Sequence, residues 1–295
     1  MTTSPLDTPL SEVHPVYLER VEKLKSQVLD ETAARERRRR LYVNLSRVAL
    51  LVVVLAVWEY GSGKFLDPFF VSKPSAIGAA LWNGFVGKNM FWHMQMTVYE
   101  AVAGYVIGVV TALVCALAVG TFSRVYEILE PFIVAIYGIP RVALAPLFIM
   151  WLGIGITPKI VIAAFMVFFV VFMNTVSGIH SANRQYIDIS RLMGASFWQL
   201  LSKVILPSAM PYILTALRIV VPTAMIGAIV GEFISSQQGL GFFISRATYM
   251  MDSASAFAGI LMLLVVILLM NESVNWMENR FMRWQRDDRS SVREL

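Results

Sequence analysis

Apolar residues fall in blocks of about twenty along this chain, separated by shorter polar stretches. A helix needs about 20 apolar residues to cross the hydrocarbon core of a bilayer. Six blocks reach that length, near 41–61, 97–121, 129–152, 159–181, 209–234 and 254–276. The stretches 101–122 and 253–271 hold no charged residue. The pattern predicts an all-α integral membrane protein with six transmembrane helices. Glycine and proline inside these blocks do not argue against spans, because membrane helices carry both more often than soluble ones.

Residues 1–40 form a polar cytoplasmic segment, 41–279 the transmembrane domain, and 280–295 a polar cytoplasmic tail. Within the first segment Tyr17, Val21, Leu24 and Val28 recur at helical spacing. Glu31/Arg35 and Glu36/Arg40 are opposite charges at i,i+4. These features predict a short helix at the cytoplasmic membrane surface, the alternative being a docking helix for a partner. A signal peptide is not expected, since the first 30 residues contain no long apolar run.

Composition agrees with the blocks. The 295 residues are 57% apolar and 15% charged, against about 45–50% and a quarter in soluble domains. Mean hydropathy is +0.64. Folded in water, such a chain would expose more apolar surface than soluble monomers tolerate. The net charge of +5 is a topology signal rather than a nucleic-acid footprint. With the N-terminus inside, eighteen of the 25 lysines and arginines fall in cytoplasmic pieces. The outside pieces carry Lys64, Lys73, Lys88, Lys159 and Arg246. The positive-inside rule then puts both termini in the cytoplasm, as an even span number requires.

Enzyme chemistry is not expected. One cysteine, Cys115, excludes a disulfide framework and a CxxC motif. His14, His93 and His180 lie far apart and form no HExxH, so neither a metal nor another cofactor is expected. Gly61-Ser62-Gly63-Lys64 is followed by Phe65, where a phosphate loop needs Ser or Thr for magnesium. There is no GxSxG elbow, and no catalytic residue is assigned.

The longest cytoplasmic connection, 180–207, holds the sequence DISRLMGASFWQLLSKVILP from Asp188 to Pro207. Ile189, Leu192, Met193, Leu200, Leu201 and Val204 lie at helical spacing, and Gly194 interrupts them. A glycine there weakens a helix, so two short helices are predicted to meet near it. An ordinary amphipathic interfacial helix is the alternative.

This loop resembles the coupling segment of the membrane subunits of binding-protein-dependent ABC importers. Asp188, Gly194, Val204 and Leu206-Pro207 stand at the spacings of that family's signature, while Ile189 and Ser190 replace its two alanines. Resemblance extends from about Pro68 to Trp284, through FFVSKPSAI (69–77), IPRVALAPLFIMWLGIG (139–155), FMNTVSGI (172–179), ALRI (216–219) and GEFISSQQGLGFFI (231–244). It is closest to the nitrate/sulfonate/taurine-type branch, in which an arginine often stands at the position of Glu100. The resemblance implies a type I importer-like permease of a bacterial cytoplasmic membrane with a cytoplasmic coupling helix. Implied partners are a second permease (a homodimer or a similar chain), two ATP-binding subunits, an extracytoplasmic substrate-binding protein and membrane lipid. ATPase coupling would fall to Asp188, Arg191, Gly194, Ala195, Leu206 and Pro207.

Arg141 and Arg218 lie deep within predicted spans, where a charged residue costs about 2.5–3.5 kcal/mol to insert. Each is expected to face the bundle interior or a water-filled cavity, lining the translocation path with Asn174 and Glu232. The alternative is a structural role, pairing with a helix carbonyl or with Glu232 itself. Pro140, Pro146 and Pro222 free backbone carbonyls inside spans, through kinks or a broken helix. Gly104/Gly108 and Gly227/Gly231 are GxxxG pairs read as packing, and Cys115 is expected to be buried.

Two arginines near mid-depth with no acid at their level predict a positive passage and a small anionic or zwitterionic solute. Import of a neutral or cationic pyrimidine-type vitamin precursor is the alternative within the same mechanism. An ion-coupled secondary transporter is the alternative outside it, but such proteins tend to show intramembrane acids and internal repeats.

Overall fold

The computed structural model describes residues 15–65, 67–87 and 89–281. The expected C-terminal tail therefore lies outside the described residues from 282 onward. The chain divides into two units, one up to residue 66 and one from 67.

The first unit is built on α1, a single helix over Pro15–Gly61. At about 1.5 Å per residue its 47 residues extend roughly 70 Å. Between its ends the sequence contains neither glycine nor proline, so nothing in the backbone stops the helix. The separate short surface helix expected for residues 1–40 is thus one body with the first apolar block. Its portion Arg35–Gly61 is long and apolar enough to span. Glu36 and Arg40 do pair, at 3.6 Å.

The second unit follows as α2 (Pro68–Val71), α3 (Pro74–Gly87), α4 (Met90–Gly120), α5 (Ser123–Tyr137), α6 (Ala145–Leu152) and α7 (Ile156–His180). Then come α8 (Arg184–Leu192), α9 (Phe197–Leu200), α10 (Leu206–Ser235), α11 (Leu240–Tyr249) and α12 (Ser253–Phe281). Among the described residues five helices are long and apolar enough to cross a membrane, and six if the bent pair α5 and α6 counts as one span.

At the centre α7 is sandwiched between α4, running parallel to it, and α10, running antiparallel. Small residues set the approach. A Cβ on Gly108 would stand 2.6 Å from the Ala164 carbonyl oxygen, and one on Gly227 2.5 Å from Ala163 Cα. Both GxxxG pairs are therefore used for packing inside the chain. Val109, Ala112 and Ala116 of α4, Val167 and Phe172 of α7, and Val220 and Ala224 of α10 form the core between them. Cys115 is exposed rather than buried, because α4 turns Ala112 and Ala116 inward and Val114 and Cys115 outward.

The third apolar block is broken rather than kinked, with 81° between its halves. α5 ends at Tyr137, Gly138 and Pro140 follow, and Arg141–Leu144 forms a 3-10 turn before α6. Pro146 sits in the first turn of α6, where a missing N–H costs nothing. Further on, Leu201–Ile205 is a π turn in which the Leu206 N–H reaches back to the Leu201 carbonyl. That wider turn leads α9 into α10 and accommodates Pro207, which cannot donate to the ladder.

Candidate functional site

At the end of the bundle where α4 and α7 finish and α10 starts, the segment between α7 and α10 folds into two short helices. Asn183 caps α8 by accepting from the Gln185 N–H at 2.9 Å. α9 opens with a capping box, Ser196 Oγ accepting from the Gln199 N–H at 3.4 Å while Gln199 Oε1 accepts from the Ser196 N–H at 2.8 Å. Between them Gly194 adopts φ +81°. Its N–H donates to the Arg191 carbonyl at 2.9 Å, and the Ala195 N–H donates to the Ser190 carbonyl at 3.0 Å. That pair of bonds is a Schellman motif with glycine at its left-handed position, and it closes α8 where the sequence predicted a break.

The inner side of this loop is anchored by Leu200 and Ile205, packed with Ile179, Ala209 and Ile213. Its tip is the opposite. Leu192 is 88% and Met193 83% exposed, and Asp188, Arg191 and Gly194 are exposed beside them. Ala195 and Leu206 are half-buried, and Pro207 is exposed. The tip is thus apolar, flanked by charges and fixed by the caps of α8 and α9.

The other end of α10 carries a buried polar network. Glu100 of α4 and Lys159 of α7 form an ion pair with side chains 0% and 2% exposed. Lys159 Nζ also donates to Ser236 Oγ at 3.0 Å. Next to them Thr97 Oγ1 donates to Glu232 Oε1 at 2.7 Å and accepts from the Leu240 N–H at 2.7 Å. Glu232 Oε2 accepts from the Gly241 N–H at 2.5 Å. His93 Nδ1 accepts from the Gly239 N–H at 3.0 Å. The turn Ser236–Gly239 is thereby pinned to three helices. Gly239 has φ +109°, and a Cβ there would stand 2.0 Å from Glu232 Oε1.

This placement corrects two expectations. Glu232, expected on the translocation path, is 1% exposed with both oxygens engaged, so within this chain it faces the interior. Lys159, expected among the outside loop charges, lies buried in the first turn of α7 against Glu100. The sequence signal for that pair was present. An acid and a lysine each fall inside or at the lip of an apolar block, where an unpaired charge is costly.

The remaining candidates occupy different elements. Arg141 stands at the broken helix, half-buried; its Nη1 donates to the Met166 carbonyl at 3.2 Å and its guanidinium lies 4.8 Å from the Tyr137 ring centroid. Met166 is near the middle of α7, so Arg141 is held at mid-depth. Arg218 is on the exposed side of α10, near its midpoint. Asn174 is half-buried on α7 and donates from Nδ2 to the Val170 carbonyl of its own helix at 2.8 Å.

Residues 104–283 match the family described as binding-protein-dependent transport system inner membrane component. The chain belongs to this family. It is a permease subunit of an ABC importer. The permease is 31% identical over 84% of its length, and 99% of the relative's, to the formylaminopyrimidine transport permease protein ThiX of Halalkalibacterium halodurans. It is 29% identical over 84% of its length, and 90% of the relative's, to the putative aliphatic sulfonates transport permease protein SsuC of Bacillus subtilis. Among solved structures, an inward-facing MetNI methionine ABC transporter chain matches at a TM-score of 0.54 and 20% identity, covering 67% of this permease and all of that chain. That likeness places the bundle in the type I importer permease fold.

Proposed function

We propose that this permease, paired with a second permease, carries a small anionic or zwitterionic solute across a bacterial cytoplasmic membrane. ATP hydrolysis belongs to two separate ATP-binding subunits, and an extracytoplasmic binding protein delivers the solute. Both termini and the loop around Gly194 face the cytoplasm, in keeping with the lysine and arginine distribution. The observation that carries this reading is the capped double helix with Leu192 and Met193 at its exposed tip. A rigid lever of this kind transmits closure of a cytoplasmic ATPase to α7 and α10, which continue directly from its two ends. Rocking of the two bundles would then expose the passage alternately to each side.

Arg141, Asn174 and Arg218 are assigned to the passage. Glu100 and Glu232 are committed to Lys159 and to the pinned turn, and the guanidinium of Arg141, held near the middle of α7 by the Met166 carbonyl, makes a field favourable to an anion. A second reading rests on the ThiX relative, whose name specifies a formylaminopyrimidine; by that reading the cargo is a pyrimidine-type vitamin precursor. The test is ATP-driven uptake by proteoliposomes holding permease, ATP-binding subunits and binding protein. Transport of a carboxylate or sulfonate supports the first reading, and uptake of only a neutral or cationic pyrimidine overturns it.

A further inference from the structure

On the side of the second unit away from the coupling loop, a cavity of about 380 Å³ opens between the starts of α4 and α12 and the length of α11. Its wall carries Asn89, His93 and Arg246 together with Phe242, Phe243 and Met250, the His93 ring lying 5.8 Å from the Phe242 ring and 5.9 Å from the Phe243 ring, centroid to centroid. The orientation of His93 follows from its neighbour. Because Nδ1 accepts the Gly239 N–H at 3.0 Å, the hydrogen of the neutral ring resides on Nε2, and that nitrogen is a donor. Arg246 lines the same cavity, and a guanidinium has donors only. The carboxylate on the same wall, Asp252, has Oδ1 accepting from the Ser255 N–H at 3.0 Å as the cap of α12.

We propose that this cavity is a binding site for a small organic oxyanion, a carboxylate or sulfonate with a compact apolar body. Arg246, His93 Nε2 and the Asn89 amide offer donors to the charged group among the lining residues, and the two phenylalanines receive the body. The volume is at the small end of ligand sites, which run from about 300 to 1,000 Å³, and it admits a solute rather than a protein lobe. As a first stop for the imported solute the site rests on the permease reading above. As an oxyanion site it stands on its own geometry. An oxyanion group also occurs in lipid phosphates, so the test separates the two sources.

The assembly of permease and ATP-binding subunits is reconstituted in phosphatidylcholine nanodiscs and titrated with benzenesulfonate, using benzyl alcohol as the uncharged comparison. Saturable benzenesulfonate binding is expected, at least tenfold weaker in Arg246→Gln and partly restored in Arg246→Lys. Thermal unfolding and retention of the ATP-binding subunits verify that each variant is folded. No saturable binding to the wild type, equal affinity in Arg246→Gln, or equal binding of benzyl alcohol overturns the proposal. Displacement of benzenesulfonate when phosphatidylglycerol is included makes the site a lipid one and also overturns it. The permease reading is judged separately, by ATP-driven uptake in wild-type vesicles with the binding protein. Binding without such uptake removes that reading and leaves the oxyanion site in place.

Discussion

Lys159 of α7 and Glu100 of α4 are ion-paired in the interior of the bundle, 2% and 0% exposed. The pair joins two parallel helices and, through Ser236, holds the turn after α10. Taking one partner away leaves the other charge buried and uncompensated, which costs about 3–5 kcal/mol. Lys159→Met or Glu100→Leu is expected to lower thermal stability by that order in detergent. The double variant is expected to recover most of the loss. Equal melting temperatures for single variants and wild type would show that the pair does not form.

Gly194 tests the coupling loop. Open space surrounds the position of its missing Cβ, so the constraint is the left-handed backbone, costing other residues about 1–2 kcal/mol. Gly194→Asn is expected to transport nearly normally, because Asn tolerates this region. Gly194→Trp is expected to insert in the membrane yet to lose ATP-driven uptake and stimulation of ATP hydrolysis. Normal values of both for the tryptophan variant would remove the loop from the coupling machinery.

Gly239 is more severely confined. Gly239→Ala is expected to displace the Glu232 carboxylate and release the Ser236–Gly239 turn, at a cost of about 1–3 kcal/mol from overpacking. Limited proteolysis at this turn, with melting temperature alongside, measures it. A variant as stable and as protected as wild type would mean that the turn is not pinned by Glu232.

Orientation is open to thiol labelling in a Cys115→Ser background. Tyr249 and Leu192 are 83% and 88% exposed, at opposite ends of the second unit. Tyr249→Cys is expected to react with an impermeant reagent added outside intact cells, and Leu192→Cys only after lysis. The reverse pattern would invert the proposed topology.

The arginines separate passage from scaffold. Arg141→Gln and Arg218→Gln are expected to lose or alter uptake at matched expression and matched ATPase activity, with partial rescue by lysine since charge outweighs fork geometry. Arg141→Gln also gives up the bond to the Met166 carbonyl, so its melting temperature is measured in parallel. Normal transport by both variants would make the arginines structural.

Apolar blocks, glycine and charge placement along the chain already determined the spans, the break at Gly194 and the family's loop. These are local properties. A helix persists wherever apolar residues run without interruption, and a left-handed cap needs glycine where it stands. The same locality explains α1, whose uninterrupted residues carry the helix of the first span back to Pro15, past the expected boundary at 40. It also left the third block ambiguous, since Pro140 is compatible with either a kink or the 81° break that occurs.

Which polar groups meet follows from the packing of the helices. Glu100 and Lys159 are 59 residues apart, and Thr97, Glu232 and Gly241 come from three elements. Whether such groups face one another depends on the rotation of each helix about its axis. That rotation is set by how Gly104, Gly108, Gly227 and Gly231 seat against α7. Period and composition carry a helix's stripe but not the partner that the stripe will find. Lys159 therefore read as a surface charge, and Glu232 as a passage residue, until close packing of small residues drew both into the interior.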